Sequence, residues 1–254
     1  MNVVDEQVLR ELNLYPLWVR RDVPVQDEPA PVATQTPPPE PLEAPVAKIE
    51  ATFAKAPPVA EMPCIASIPE VASPDWAALK EKVRDCTACK LRAGCTQTVF
   101  GVGDEQADWL FVGEGPGEEE DALGEPFVGQ AGKLLDNMLF SIGLKRGDNV
   151  YIANVVKCRP PNNRNPEADE IATCMPYLQQ QIAHIKPKLI VALGKTAACA
   201  LLGRDATLGS LRGSLHDYHG IPLLVSFHPA YLLRSPAEKA KAWQDLKAAM
   251  AYMR

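Results

Sequence analysis

Four cysteines, Cys86, Cys89, Cys158 and Cys174, stand as C-x2-C, a gap of 68 residues and C-x15-C, and no other feature of this 254-residue chain limits its fold so strongly. The first pair can clip one metal centre from a single turn. The second pair has to be carried there by the fold, so a centre made of all four staples together segments far apart in sequence. Thiolate quartets select zinc or an iron–sulfur cluster, and spacing alone leaves both open. Scattered buried cysteines are the plain alternative, which suits any single cysteine but accounts poorly for a CxxC followed by a second pair.

Seven cysteines, an odd number, in a chain whose N-terminus MNVVDEQVLRELNLYPLWVRR lacks the basic start and apolar middle of an export signal argue for reduced thiols and a cytoplasmic protein. No run of 18 apolar residues predicts a membrane span. The net charge of −6 belongs to the first 74 residues, which carry 11 acidic and 5 basic side chains. A balanced remainder neither demands nor excludes nucleic acid, since phosphate binding depends on a local basic face.

Three segments follow from the texture of the chain. Residues 1–23 hold a short apolar stretch, Val8 to Trp18, that reads equally as a frayed end or as a docking motif for a protein partner. Residues 24–74 contain 13 of the 24 prolines and no glycine, the composition of a semi-extended, disordered linker. Residues 75–254 form the folded domain. In it DWLFVGEG, NVYIANVV, KLIVALG and IPLLVSF read as buried strands, and helical stretches such as AGKLLDNMLFSIG and PEADEIATCMPYLQQQIAHI lie between or beside them. That alternation predicts an α/β fold with a parallel sheet covered on both faces, and ligands then bind at the carboxyl ends of the strands.

The loop after the first strand is Gly113-Glu114-Gly115-Pro116-Gly117-Glu118-Glu119-Glu120-Asp121. Its glycines invite a dinucleotide reading, but four carboxylates at a helix start would repel a pyrophosphate. Two of the four are covered by the ordinary preference for acids at helix N-termini. Gly194-Lys195-Thr196 mimics the end of a P-loop, yet Leu189 stands where that loop needs its first glycine, which excludes ATP hydrolysis of that kind. Two other residues sit at strand ends: Asn154, an amide offering both a donor and an acceptor, and His228, fixed by the proline after it; Phe127, after the acid run, is an aromatic in a Gly-flanked loop suited to stacking on a base.

Taken together, GEGPGEEED, EPFVGQAGKLLD, NVVKCRPPNNRNP, the four-cysteine spacing and HPAYLLR closely resemble the family 4 uracil-DNA glycosylases, the iron–sulfur branch of their superfamily, over residues 79–254. The resemblance implies a three-layer α/β/α sandwich on a four-stranded parallel sheet. It also implies a [4Fe-4S] cluster on Cys86, Cys89, Cys158 and Cys174, and a monomeric enzyme that flips uracil out of DNA and cleaves its N-glycosidic bond. Residue by residue it places Glu114 and Gly115 beside the sugar, Glu120 near the uracil, Phe127 stacked on the base, Asn154 on its edge, Asn163 near the catalytic water and His228 on O2. Glu114 or Glu120 is then the candidate to handle the water. Tyr231, Leu232 or Leu233 would fill the vacated stack and Arg234 would meet phosphate, with Lys157, Arg159 and Arg164 also near DNA. Cys95 is an additional thiol expected to be a bystander. A non-turnover uracil-DNA cross-linker and a zinc-binding interaction module are the competing classes. The first is disfavoured because SLRGSLHDYHGIP stands where the cross-linking branch carries a basic KRRIH insertion.

Overall fold

The computed structural model describes residues 75–253. The apolar segment 1–23, the linker 24–74 and Cys64 lie outside the described residues. In chain order the domain runs α1 (Trp76–Arg84), β1 (Val102–Gly103), β2 (Trp109–Gly113), α2 (Glu118–Leu123), α3 (Gln130–Ser141), β3 (Val150–Asn154) and α4 (Ala168–Ile185). It continues with β4 (Leu189–Leu193), α5 (Lys195–Leu202), α6 (Leu208–Leu211), β5 (Leu215–Tyr218), β6 (Ile221–Ser226), α7 (Pro229–Arg234) and α8 (Lys239–Tyr252).

The sheet has the order β1-β3-β2-β4-β6-β5. Its four inner strands pair in parallel, as the continuous apolar runs predict. Two antiparallel edge strands complete it, β1 against β3 and β5 against β6. Neither edge carries the signal of a buried strand: β1 is two residues long, and β5 is the largely exposed Leu-His-Asp-Tyr.

Alternation along the inner strands divides the core into two layers. Leu110, Val112, Tyr151, Ala153, Ile190 and Ala192 face one side, where Leu178 and Ile182 of α4 and Ala197 and Leu201 of α5 pack on them. Trp109, Phe111, Val150, Ile152, Leu189 and Val191 face the other, against Leu135 and Leu139 of α3 and Leu246 and Ala249 of α8. Each fully buried aliphatic or aromatic side chain contributes about 1.5–3 kcal/mol, so a sheet apolar on both faces is stable only between two helical layers. The result is the three-layer α/β/α sandwich. Its parallel strands all end on one side, which gathers the loops after β2, β3, β4 and β6 around one cleft.

Candidate active site

That cleft has a volume of about 590 Å³. Glu114, Gly115, Glu120 and Phe127 enter it from the loops after β2, Asn154 and Asn163 from β3 and the loop beyond, and His228, Tyr231 and Arg234 from the end of β6 and α7. Of the residues expected at the site, Leu232 and Leu233 do not line the cleft.

Asn154 closes β3 opposite Gly113 and is 2 % exposed. Its Oδ1 is buried and has no hydrogen-bond partner among the described residues. An unpaired buried amide oxygen costs about 1–3 kcal/mol, so this atom calls for a donor from a ligand. Gly113 explains itself here: a Cβ at that position would come within 2.5 Å of both Asn154 Oδ1 and the Phe127 ring. The first glycine of the loop therefore serves the packing of the cleft floor and not the approach of a phosphate.

Phe127 is buried and sits at a positive φ of 55°, a conformation uncommon outside glycine. Arg146 holds it there, donating from Nη1 to Pro126 O at 2.7 Å and from Nη2 to Phe127 O at 2.6 Å while its Nε reaches Asp136 at 3.0 Å. Glu120 closes the same loop from the other side. Its Oε1 accepts from Val128 N at 2.9 Å and Gly129 N at 3.1 Å, and its Oε2 from Gly117 N at 3.0 Å. Both oxygens are thus committed to backbone. Asp121 is likewise engaged, accepting from Thr96 N and Gln97 N and so joining α2 to the segment beyond the CxxC. Glu114 differs: it is among the residues lining the cleft, and its carboxylate makes no hydrogen bond or ion pair among the described residues.

His228 caps α7. Its Nδ1 accepts from Ala230 N at 3.2 Å, which leaves the proton of the neutral ring on Nε2. Burial, reinforced by the Arg234 charge and opposed by Glu120, pushes the imidazole down to about 4, so the ring is a neutral Nε2–H donor at physiological pH. Its centroid lies 5.5 Å from that of Phe127. Gly194 has φ +95° and packs its backbone on His228, with 3.1 Å from an added Cβ to the histidine Cβ. The glycine of the P-loop mimic is accordingly a contact surface for the histidine.

Several expected DNA contacts need correction. Leu232 is 1 % exposed and belongs to the core beneath α7, so it cannot enter a base stack. Tyr231 and Leu233 are exposed, and Tyr231 stacks on Phe227 at 5.4 Å. Lys157 cannot meet DNA either, because it is fully buried, with Nζ on Asn154 O at 2.8 Å and Gln181 Oε1 at 2.6 Å. Burial pushes its ammonium down to about 8. Arg164 is held bidentately by Glu170 at 2.6 and 2.9 Å. Arg159 bridges Asn163 Oδ1, at 2.8 Å, and Glu118. Sequence reasoning missed Arg146, the buried function of Lys157 and the clamp made by Glu120. Arg146 and Lys157 depend on partners about 20 residues or more away in the chain, whereas Glu120 binds backbone within nine residues and is hidden only by standing in a run of acids.

On the flank of the sheet Cys86, Cys89, Cys158 and Cys174 all line one small cavity together with Lys157 and Tyr177. The end of α1 brings Cys86 to α4, where Tyr177 Oη donates to its Sγ at 3.2 Å. Lys157 N donates to Cys174 Sγ at 3.2 Å. None of the four forms a disulfide, and burial pushes the Cys158 and Cys174 thiols up. Among the described residues no three His, Cys, Asp or Glu side chains converge on a point that would hold a single ion. The four thiols line this one pocket, and two of them already receive hydrogen bonds from the protein. Cys95 is buried nearby beside Arg92 but is not among the residues that line this cavity.

The family model described as the uracil DNA glycosylase superfamily matches residues 100–247. The chain is 44% identical over 180 residues to a type-4 uracil-DNA glycosylase of Thermotoga maritima, covering 69% of this chain and 93% of that protein. It is 43% identical over 182 residues to one of Pyrobaculum aerophilum, covering 68% and 91%. A type-5 uracil-DNA glycosylase of Thermus thermophilus is more distant, 32% identical over 149 residues, covering 51% of this chain and 68% of that protein.

Proposed function

Because the chain belongs to the uracil-DNA glycosylase superfamily, on its type-4 branch, we propose how the cleft performs the removal of uracil from DNA that opens base-excision repair. A base within a duplex is out of reach, so the uracil is flipped into the cleft, where stacking and edge hydrogen bonds offset the few kcal/mol of unpairing. Phe127 stacks on the ring. Uracil presents a donor at N3 and an acceptor at O4, and the Asn154 amide matches both at once. The unpartnered Oδ1 of Asn154 is the observation that carries this reading, since the N3–H of uracil is the donor it lacks. Cytosine reverses both groups and would leave buried atoms unpaired, a penalty large enough for strong discrimination.

As the bond between C1′ and N1 breaks, its electron pair passes to the base and charge grows on O2. His228 Nε2–H stabilises that oxygen, with the ring oriented by the Ala230 N–H on its far side. Glu114 balances the positive sugar and holds the water that adds to C1′, taking the proton released as the C1′–O bond forms, because its carboxylate is uncommitted whereas that of Glu120 organises the loop. Gly115 admits the sugar beside it, and the side-chain amide of Asn163 faces the same water from the rim. Exposed Tyr231 or Leu233 fills the vacated stack and Arg234 meets phosphate.

Cys86, Cys89, Cys158 and Cys174 are assigned to a [4Fe-4S] cluster, supported by the cavity they share and by the family. Hydrolysis needs no electron, so the cluster's contribution is structural cross-linking of segments distant in sequence. No described helix is long and apolar enough to cross a membrane. DNA is the macromolecular partner. A cytoplasmic monomer with residues 1–23 as a docking segment for a repair protein completes the proposal.

Replacing Asn154 by Asp tests the base-reading assignment. An ionised carboxylate repels uracil O4 and accepts from the cytosine amino group, so uracil excision falls by at least about 100-fold and weak cytosine excision appears. Full uracil activity in Asn154→Asp would refute it.

A further inference from the structure

Lys157 is a buried charge for which the reaction has no use. It is 1 % exposed, and its partner Gln181 is fully buried. Burying a lysine costs several kcal/mol unless its donors are well placed, and for packing alone a methionine would serve. Its two Nζ contacts lead to different parts of the molecule: one to the carbonyl of Asn154, at the end of β3, and one to Gln181 on α4, the helix that carries Cys174. Gln181 is fixed in turn by donating from Nε2 to Phe100 O at 2.9 Å. The Lys157 backbone N–H points to Cys174 Sγ, and Cys158 follows in sequence. The base-reading end of β3 and the cysteine pocket therefore meet in one side chain.

We propose that Lys157, braced by Gln181, is a positioning residue that fixes the Asn154 backbone and so sets the aim of the uracil-reading amide. The inference rests on the assignment of Asn154 to the base edge. It concerns geometry at the end of β3 and assigns Lys157 no contact with substrate. A reading amide released from this brace retains its chemistry but loses alignment, and misalignment of about 1 Å costs on the order of 100-fold in rate.

The test compares Lys157→Met, which removes the brace, and the double variant Lys157→Met/Gln181→Leu, which removes the buried acceptor with it and so leaves no unpaired Gln181 oxygen. The readouts are visible absorption near 400 nm, affinity for a duplex carrying an abasic-site analogue, inhibition by free uracil, and the single-turnover rate on a uracil oligonucleotide. The expected result is a folded, coloured protein whose abasic-duplex affinity is within about twofold of wild type, while free-uracil inhibition weakens about tenfold and single turnover slows about 100-fold. Wild-type inhibition by uracil in a folded variant overturns the proposal. So does parallel loss of absorption, duplex binding and rate, or failure of both variants to fold, since the lysine would then support the domain as a whole. Asn154→Ala run alongside separates the two levels: if it keeps wild-type uracil inhibition the base-reading assignment itself has failed, and if it loses it while the Lys157 variants do not, only the brace has.

Discussion

At the scale of single residues the cleft separates groups that recognise from groups that react. His228 is asked to act as charge develops on O2, so His228→Ala should lower the single-turnover rate by roughly 10²–10³-fold and affect DNA affinity much less. Its pKa gives a second check. Because the folded ring titrates near 4 instead of 6.5, the neutral Nε2–H donor persists through the weakly acidic range, and the single-turnover rate should show no inflection near pH 6.5. A histidine titrating at its ordinary value would show one. Glu114 and Glu120 differ in the same way. Glu114→Gln should slow the chemical step by about 100-fold at unchanged thermal stability, whereas Glu120→Gln should lower stability and activity together, since it loosens the loop bearing Phe127. Equal behaviour of the two variants would dissolve the distinction. Asn154 and His228 were readable as candidates because strand ends are marked by apolar runs that stop, and Phe127 because it is a lone aromatic in a glycine-flanked loop. The commitment of Glu120 to three backbone N–H groups was not, since an acid in a run of acids looks the same whether it faces solvent or a loop. Leu232 shows the reverse error: in HPAYLLR three large side chains look alike until the helix turns one of them inward.

At the scale of elements, α4 connects the two chemistries. Glu170 in its first turn is fully buried, binds Arg164 bidentately, accepts from Glu167 N at 2.7 Å and lies 3.8 Å from Lys90 beside the CxxC. The start of the helix is thereby tied both to the loop bearing Asn163 and to the cysteine arm. The Arg164 guanidinium holds the Glu170 carboxyl down to about 2, from an ordinary 4.5. The sign follows: the folded state keeps this proton off longer than the unfolded chain does, so the stabilisation is fully present above pH 4.5 and is lost as the pH falls towards 2. Glu170→Gln should cost about 1–3 kcal/mol at neutral pH, and the gap to wild type should close progressively on acidification in a series of thermal melts. A pH-independent gap would contradict the ion pair. Elements were readable from sequence in proportion to how far they obey one face. The four inner strands are buried and mainly apolar and stand out, whereas β5 faces solvent along most of its length and β1 is only two residues long, with Val102 alone packing on the core, so neither leaves a pattern in the side chains.

At the scale of the whole molecule, a three-layer sandwich sets the base-reading cleft at the ends of its parallel strands and the cysteine pocket on its flank, with the segment from Asn154 to Cys174 running between them. The cysteine spacing already required that distant segments converge, and four thiols do share one cavity. What spacing did not disclose is that the joint between pocket and cleft is a buried lysine, because a lysine in NVVKCRPP reads as a solvent or phosphate contact until α4 supplies its acceptor. The central claim is that this cleft excises uracil from DNA and spares the natural pyrimidines. It is tested most directly by incubating the full chain with an end-labelled oligonucleotide containing a single uracil, beside matched thymine and cytosine controls, and cleaving any abasic site with alkali. The prediction is a strand break at the uracil and none in either control; an intact uracil strand, or breaks of similar extent in all three, would contradict it.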